Sequence, residues 1–76
     1  MAIVRKLKRI TLEGSTRQHT ELESCTYSII QSDDGKYLQI DSYGSAQRKM
    51  RGGKSQSIRF RPEAVSQLRK ILSEEL

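Results

Sequence analysis

The sequence predicts an α+β domain, a four-stranded antiparallel sheet followed by one C-terminal helix, paired with a second copy as a homodimer. Three stretches point there. "CTYSIIQSDDGKYLQIDSY" (residues 25–43) sets Asp34-Gly35 between two alternating runs, which is a hairpin pattern. "SQSIRFR" (55–61) alternates again, as a strand does. "RPEAVSQLRKIL" then repeats its apolar residues at helical spacing.

The first strand is expected near residues 4–12. Ile3, Val4, Leu7 and Ile10 would also fit a helical stripe, but Ile10 and Leu12 alternate with Thr11 and Glu13. Residues 14–24, "GSTRQHTELES", read as loop or an irregular strand start. The hairpin centres on Asp34-Gly35 as a type I′ turn, which needs positive φ at both central residues. That centring pairs Ser32 with Tyr37, Gln31 with Leu38, Ile30 with Gln39 and Ile29 with Ile40. One face then carries Cys25, Tyr27, Ile29, Leu38 and Ile40 and is the expected core side. The other carries Thr26, Ser28, Ile30, Tyr37, Gln39, Asp41 and Tyr43. In the next strand Ile58 and Phe60 point one way and Ser57, Arg59 and Arg61 the other. If Ile58 and Phe60 join the core, the two arginines share the open face with Tyr37 and Tyr43. A long polar loop, "GSAQRKMRGGK", separates these strands; loops of that length in small domains are usually functional or mobile. Pro62 opens the helix at its first position, with Glu63 in the first turn. Ala64, Val65, Leu68, Ile71 and Leu72 form its apolar stripe, and Arg69 and Lys70 face away.

The chain has 76 residues, so it is expected to form a single domain, 1–76, with a modest core. Domains this small usually need a disulfide, a metal or a partner subunit. Cys25 is the only cysteine, and His19 the only histidine. An internal disulfide is therefore excluded, and those two residues do not make a structural zinc site. A second copy is the remaining source of stability. No apolar run approaches the ~20 residues of a membrane span, and no secretory leader is visible. A cytoplasmic protein is expected, nucleoid-associated if bacterial, with no membrane partner, no metal and no cofactor.

The net charge of +5 is unevenly distributed. Residues 1–9 hold Arg5, Lys6, Lys8 and Arg9 and no acid. The middle of the chain is acidic, with Glu13, Glu21, Glu23, Asp33, Asp34 and Asp41 against Arg17 and Lys36. Residues 44–61 hold Arg48, Lys49, Arg51, Lys54, Arg59 and Arg61 and again no acid. A surface charged only for solubility intersperses the two signs; clustered bases are the electrostatic footprint of a polyanion. Single-strand binders combine such a groove with aromatic faces on which bases stack. The candidate contacts are Tyr37, Gln39 and Tyr43 on the sheet, Arg48, Lys49, Arg51 and Lys54 in the loop, and Arg59 and Arg61 in the last strand. Arg5, Lys6, Lys8 and Arg9 would extend the groove; equally, they would guard an edge strand from pairing.

Catalysis is not expected. His19 in "TRQHTE" has Glu21 nearby, but no second histidine, carboxylate pair or ligand spacing accompanies it. Cys25 sits on the predicted core face and reads as a small buried hydrophobe. "GKYLQ" and "RGGKS" lack the spacing of a phosphate-binding loop.

"GKYLQIDSYG", the basic "MRGGKSQ" and "SIRFRPEAVSQLRKIL" together resemble the positive-cofactor-four family of transcriptional coactivators. The resemblance covers residues 35–72, and "SIRFRPEAVSQL" is its most specific part. It departs from the pattern at Gly44, after Tyr43, and at Val65 in the helix, where that family carries tryptophan. The resemblance implies a homodimer that binds single-stranded DNA along its sheet with little sequence preference. The expected function is thus a non-catalytic nucleic-acid-binding module, single-stranded DNA favoured and RNA compatible with the same chemistry, serving transcription, replication or recombination, with no small-molecule substrate. The alternative is an adaptor that docks an acidic protein through residues 44–61.

Overall fold

Four strands and one helix form where the sequence alternates or repeats: β1 (Ala2–Val4), β2 (Cys25–Ser32), β3 (Gly35–Tyr43), β4 (Lys54–Phe60) and α1 (Pro62–Glu74). The structure is a computed structural model, and it describes residues 1–14, 24–43 and 54–76. The strands make one sheet in the order β1-β4-β3-β2.

The sheet is mixed rather than antiparallel. β2 and β3 pair antiparallel, as do β3 and β4, but β1 runs parallel to β4, with Ala2 opposite Ile58 and Val4 opposite Phe60. A tight hairpin would force antiparallel pairing. Residues 5–24 separate β1 from β2, and β1 lies on the opposite edge of the sheet, so no such constraint applies. The first strand is also shorter than the expected 4–12. After Val4 the chain leaves the sheet at the end where β4 hands over to α1, and the Arg61 N–H donates to the Val4 carbonyl at 2.9 Å. Leu7 is then held to the helix by the Gln67 side chain. Its N–H donates to Gln67 Oε1 at 2.8 Å, and its carbonyl accepts from Gln67 Nε2 at 2.6 Å. One amide side chain thus replaces the partner strand that these backbone groups lack. Ile10 and Leu12, expected on a strand, are exposed.

The hairpin register differs from the expected one by two residues. Ser32 pairs with Gly35, Ile30 with Tyr37, Ile29 with Leu38 and Tyr27 with Ile40. The turn is therefore Asp33-Asp34, and among the described residues only glycines have positive φ, which rules out the type I′ geometry. Gly35 is the first residue of β3, at φ +126°, and a Cβ there would lie 3.0 Å from Pro62 Cγ. Glycine serves both the backbone and the close approach of the helix start. Because side chains alternate with period two, a two-residue slip leaves every residue on its expected face.

The apolar face carries Tyr27 and Ile29 from β2, Leu38 and Ile40 from β3, Ile58 and Phe60 from β4, and Ala2 and Val4 from β1, as the registers dictate. α1 begins as expected, with Pro62 at its first position and Val65 N–H donating to the Arg61 carbonyl. It packs against β3 and β4. Ala64 is the fully buried apolar residue among those described; Val65, Leu68 and Ile71 are half-buried. On the β2 side, Tyr27 is 75% and Ile29 57% exposed. Cys25 is exposed as well, not buried in a core. The face is apolar as the pattern requires, but one thirteen-residue helix does not cover it.

Candidate nucleic-acid interface

The opposite, polar face brings together side chains from three strands. Cross-strand pairing sets Gln39 beside Arg59 and Asp41 beside Ser57, with Ser28 and Thr26 flanking on β2. Arg59 Nε and Nη2 both donate to Gln39 Oε1, at 2.8 and 2.6 Å. Gln39 Nε2 in turn donates to both Asp41 carboxylate oxygens at 3.1 Å, and the Ser57 hydroxyl donates to the same carboxylate. Gln39 and Asp41 are 4% and 3% exposed. A buried carboxylate is tolerated only when its lone pairs are bonded, and among the described residues no buried side-chain polar atom lacks a partner.

At the hairpin end of this face lies a second cluster. Arg61 sits 5.8 Å from the centroid of the Tyr37 ring, within cation–π range. Its Nη2 lies 3.4 Å from Asp34 Oδ2 and its Nε 3.3 Å from Glu63 Oε2. The Tyr37 hydroxyl donates to Asp34 Oδ2 at 2.7 Å. That bond lowers the Asp34 carboxyl from its ordinary value and raises the Tyr37 phenol. The nearby Glu63 carboxylate raises Arg61. Glu63 itself is lowered, chiefly by its own backbone N–H in the first helical turn and further by Arg61.

Tyr43 is at the far end of β3, half-buried, with its hydroxyl 3.1 Å from Thr26 Oγ1. It lies six positions along the strand from Tyr37, about 20 Å at 3.3 Å per residue. The two rings therefore mark the ends of the face, and the Arg59–Gln39–Asp41 cluster fills the middle. Of the N-terminal bases, Arg5, Lys6 and Lys8 are exposed. Arg9 bonds Glu75 at 2.6 Å, where the helix ends without a basic residue of its own. Its charge lies at the negative end of the helix dipole.

Tyr37, Gln39, Tyr43, Arg59 and Arg61 thus share one face, as alternation predicts. Gln39 is buried and bonded on both sides of its amide, so it supports that face rather than presenting itself from it. Arg48, Lys49 and Arg51, the Lys54 side chain, and His19 lie outside the described residues. Alternation places Asp41 on this face without a binding role, and the sequence pattern gives Asp34 a role only in the turn. Asp34 is bonded to Tyr37 and Arg61, and Asp41 to Gln39 and Ser57; turn proximity was the signal available for the first and strand parity for the second. Among the described residues no cluster of three His, Cys, Asp or Glu side chains could hold a metal, and no helix is long and apolar enough to cross a membrane. No protein-family model matches the chain, and comparison with curated proteins and solved structures found no match.

Proposed function

We propose that the chain is a non-catalytic binding module for single-stranded nucleic acid, DNA in preference to RNA, acting as a homodimer with little sequence preference. The observation that carries this reading is the polar sheet face, where Tyr37 and Arg61, Arg59, and Tyr43 are arrayed in line on a chain whose bases cluster in residues 44–61. Aromatic rings offer stacking to any base, and arginine both pairs with phosphate and stacks. Nothing on this face is a helix shaped for a major groove, so unpaired strands fit better than duplex. The dimer is supported by the open apolar face, beside which lies a hollow of about 650 Å³ whose lining mixes Met1, Ala2, Cys25, Ile40 and Ile58 with the polar Ser42, Gln56 and Ser57.

Titration of a labelled oligonucleotide across a salt series tests the reading. Single-stranded DNA should bind more tightly than duplex of the same sequence, and binding should weaken steeply with salt. Replacing Lys49, Arg51 and Lys54 by Ala should flatten the salt slope by roughly 0.7 per lost phosphate contact. Tyr37→Ala or Tyr43→Ala should leave the slope in place and weaken binding by ~1–3 kcal/mol. Weak binding that does not depend on oligonucleotide length would instead favour the adaptor for an acidic protein.

A further inference from the structure

On the polar face, no acid among the described residues is ion-paired with the central cation. Arg59 Nε and Nη2 converge on one neutral oxygen, Gln39 Oε1, and the Asp41 carboxylate stands one amide further on. The amide has a single consistent orientation. Turned over, it would aim N–H groups at the guanidinium and an oxygen at the carboxylate, unfavourable on both sides. Asp41 therefore fixes the amide, and the amide fixes the guanidinium. Both supporting residues are almost fully buried, and Arg59 is half-buried, so the arrangement is held within the sheet rather than by mobile surface groups. A carboxylate in place of the amide would form a bidentate ion pair and cancel the charge. A neutral spacer orients the cation and leaves its charge in the field of the face.

We propose that Gln39 and Asp41 are positioning residues for Arg59, holding its guanidinium oriented but un-neutralised as a phosphate contact at the centre of the sheet. This inference rests on the single-strand-binding reading. Gln39 acts through Arg59, not on the ligand. The energetic logic is preorganisation: an arginine already fixed loses less side-chain freedom on binding.

The test uses the full chain, a fluorescently labelled oligo-deoxythymidine and two readouts: the salt dependence of binding, and solvent exchange of the Arg59 Nε–H signal by NMR in the free protein. Gln39→Met removes the acceptor but keeps the charge. It should speed Nε–H exchange and weaken binding roughly three- to tenfold, as for one lost hydrogen bond, with the salt slope intact. Gln39→Glu and Arg59→Met should each flatten the slope by roughly 0.7, and the double variant by no more than either. Asp41→Asn keeps an oxygen for the Gln39 amide but drops the charge, so Nε–H exchange should quicken in this variant too. It serves in place of Gln39→Glu should that variant not fold. The proposal is overturned if Gln39→Met binds as the parent does, if the slope losses of Gln39→Glu and Arg59→Met add, or if the Arg59 Nε–H exchanges freely in the parent protein. A parent that binds no oligonucleotide, yet shows Nε–H protection abolished by Gln39→Met, would overturn the single-strand reading and the phosphate role while keeping the positioning geometry.

Discussion

Arg61 shows how one residue can be committed twice. Its guanidinium lies against the Tyr37 ring while two carboxylates, Asp34 and Glu63, approach its nitrogens. These pairs are exposed, and surface ion pairs of this kind contribute little to stability. Their effect is on where the side chain points, toward Tyr37 and the hairpin end of the face. In the proposed complex, a phosphate arriving there would compete with Asp34 for both the arginine and the tyrosine hydroxyl. The competition has a titration signature. Asp34 is lowered from 3.8, mainly by the Tyr37 hydrogen bond, so what it contributes is present above that value and lost as the pH falls through its lower folded value. Tyr37 is raised from 10.0 by the same bond, so its contribution is present below that value and lost as the pH rises through the higher folded one. Asp34→Asn should move the Tyr37 phenol back toward 10.0, followed through its ring-carbon NMR signals across alkaline pH. No movement would mean that the hydrogen bond is not made in solution. If the acid competes with phosphate, the same substitution should tighten oligonucleotide binding at neutral pH.

The elements were largely legible in the sequence, and the reasons for the exceptions are physical. Alternation fixed which residues share a face, and that survived a two-residue error in hairpin register because parity is blind to even shifts. The helix was legible from Pro62 and its apolar stripe, which are local signals. The direction of β1 was not, since a three-residue edge strand carries little pattern and its pairing with β4 spans most of the chain. Nor was the exposure of Cys25, because parity tells which side a residue takes but not whether that side is covered. The relay from Arg59 to Asp41 was legible only as co-location, not as bonding. Gly35 was identified as a turn residue, whereas it opens β3 and admits Pro62, joining the hairpin to the start of the helix. Gly35→Ala should therefore destabilise the fold by about 1–3 kcal/mol, from strained backbone and the collision with the proline ring. Gly14→Ala meets open space at φ +75° and should cost only about 1 kcal/mol, for the left-handed backbone alone. Urea midpoints at constant slope measure both, and equal effects would remove the helix contact from the account.

At the scale of the molecule, the described fold leaves large apolar side chains of its sheet exposed. Its radius of gyration is 14.9 Å, with extents of 41 × 38 × 18 Å. A compact chain of this length would have a radius of about 11 Å. Among the described residues, one sheet with one helix against β3 and β4 makes a broad, thin arrangement. Large side chains that alternation assigns to the interior, Tyr27 and Ile29 above all, lie open on the β2 side. A second copy applied to that face would bury them and the hollow beside them, and would leave the polar face of each sheet turned outward. In the proposed reading, dimer formation and nucleic-acid binding would be separable, because they would use opposite faces of the same strands. Tyr27→Lys combined with Ile29→Lys should shift the mass in sedimentation equilibrium from a dimer to the 8.7 kDa chain. It should also abolish the rise of Tm with protein concentration that a dimer shows. The intact protein should bind one short oligonucleotide per chain, since each copy carries its own Arg59 face. An intact protein that is a stable monomer at micromolar concentration would remove the dimer. A variant that loses oligonucleotide binding while remaining a folded dimer would show that the single strand runs over the apolar face, not the face of Arg59.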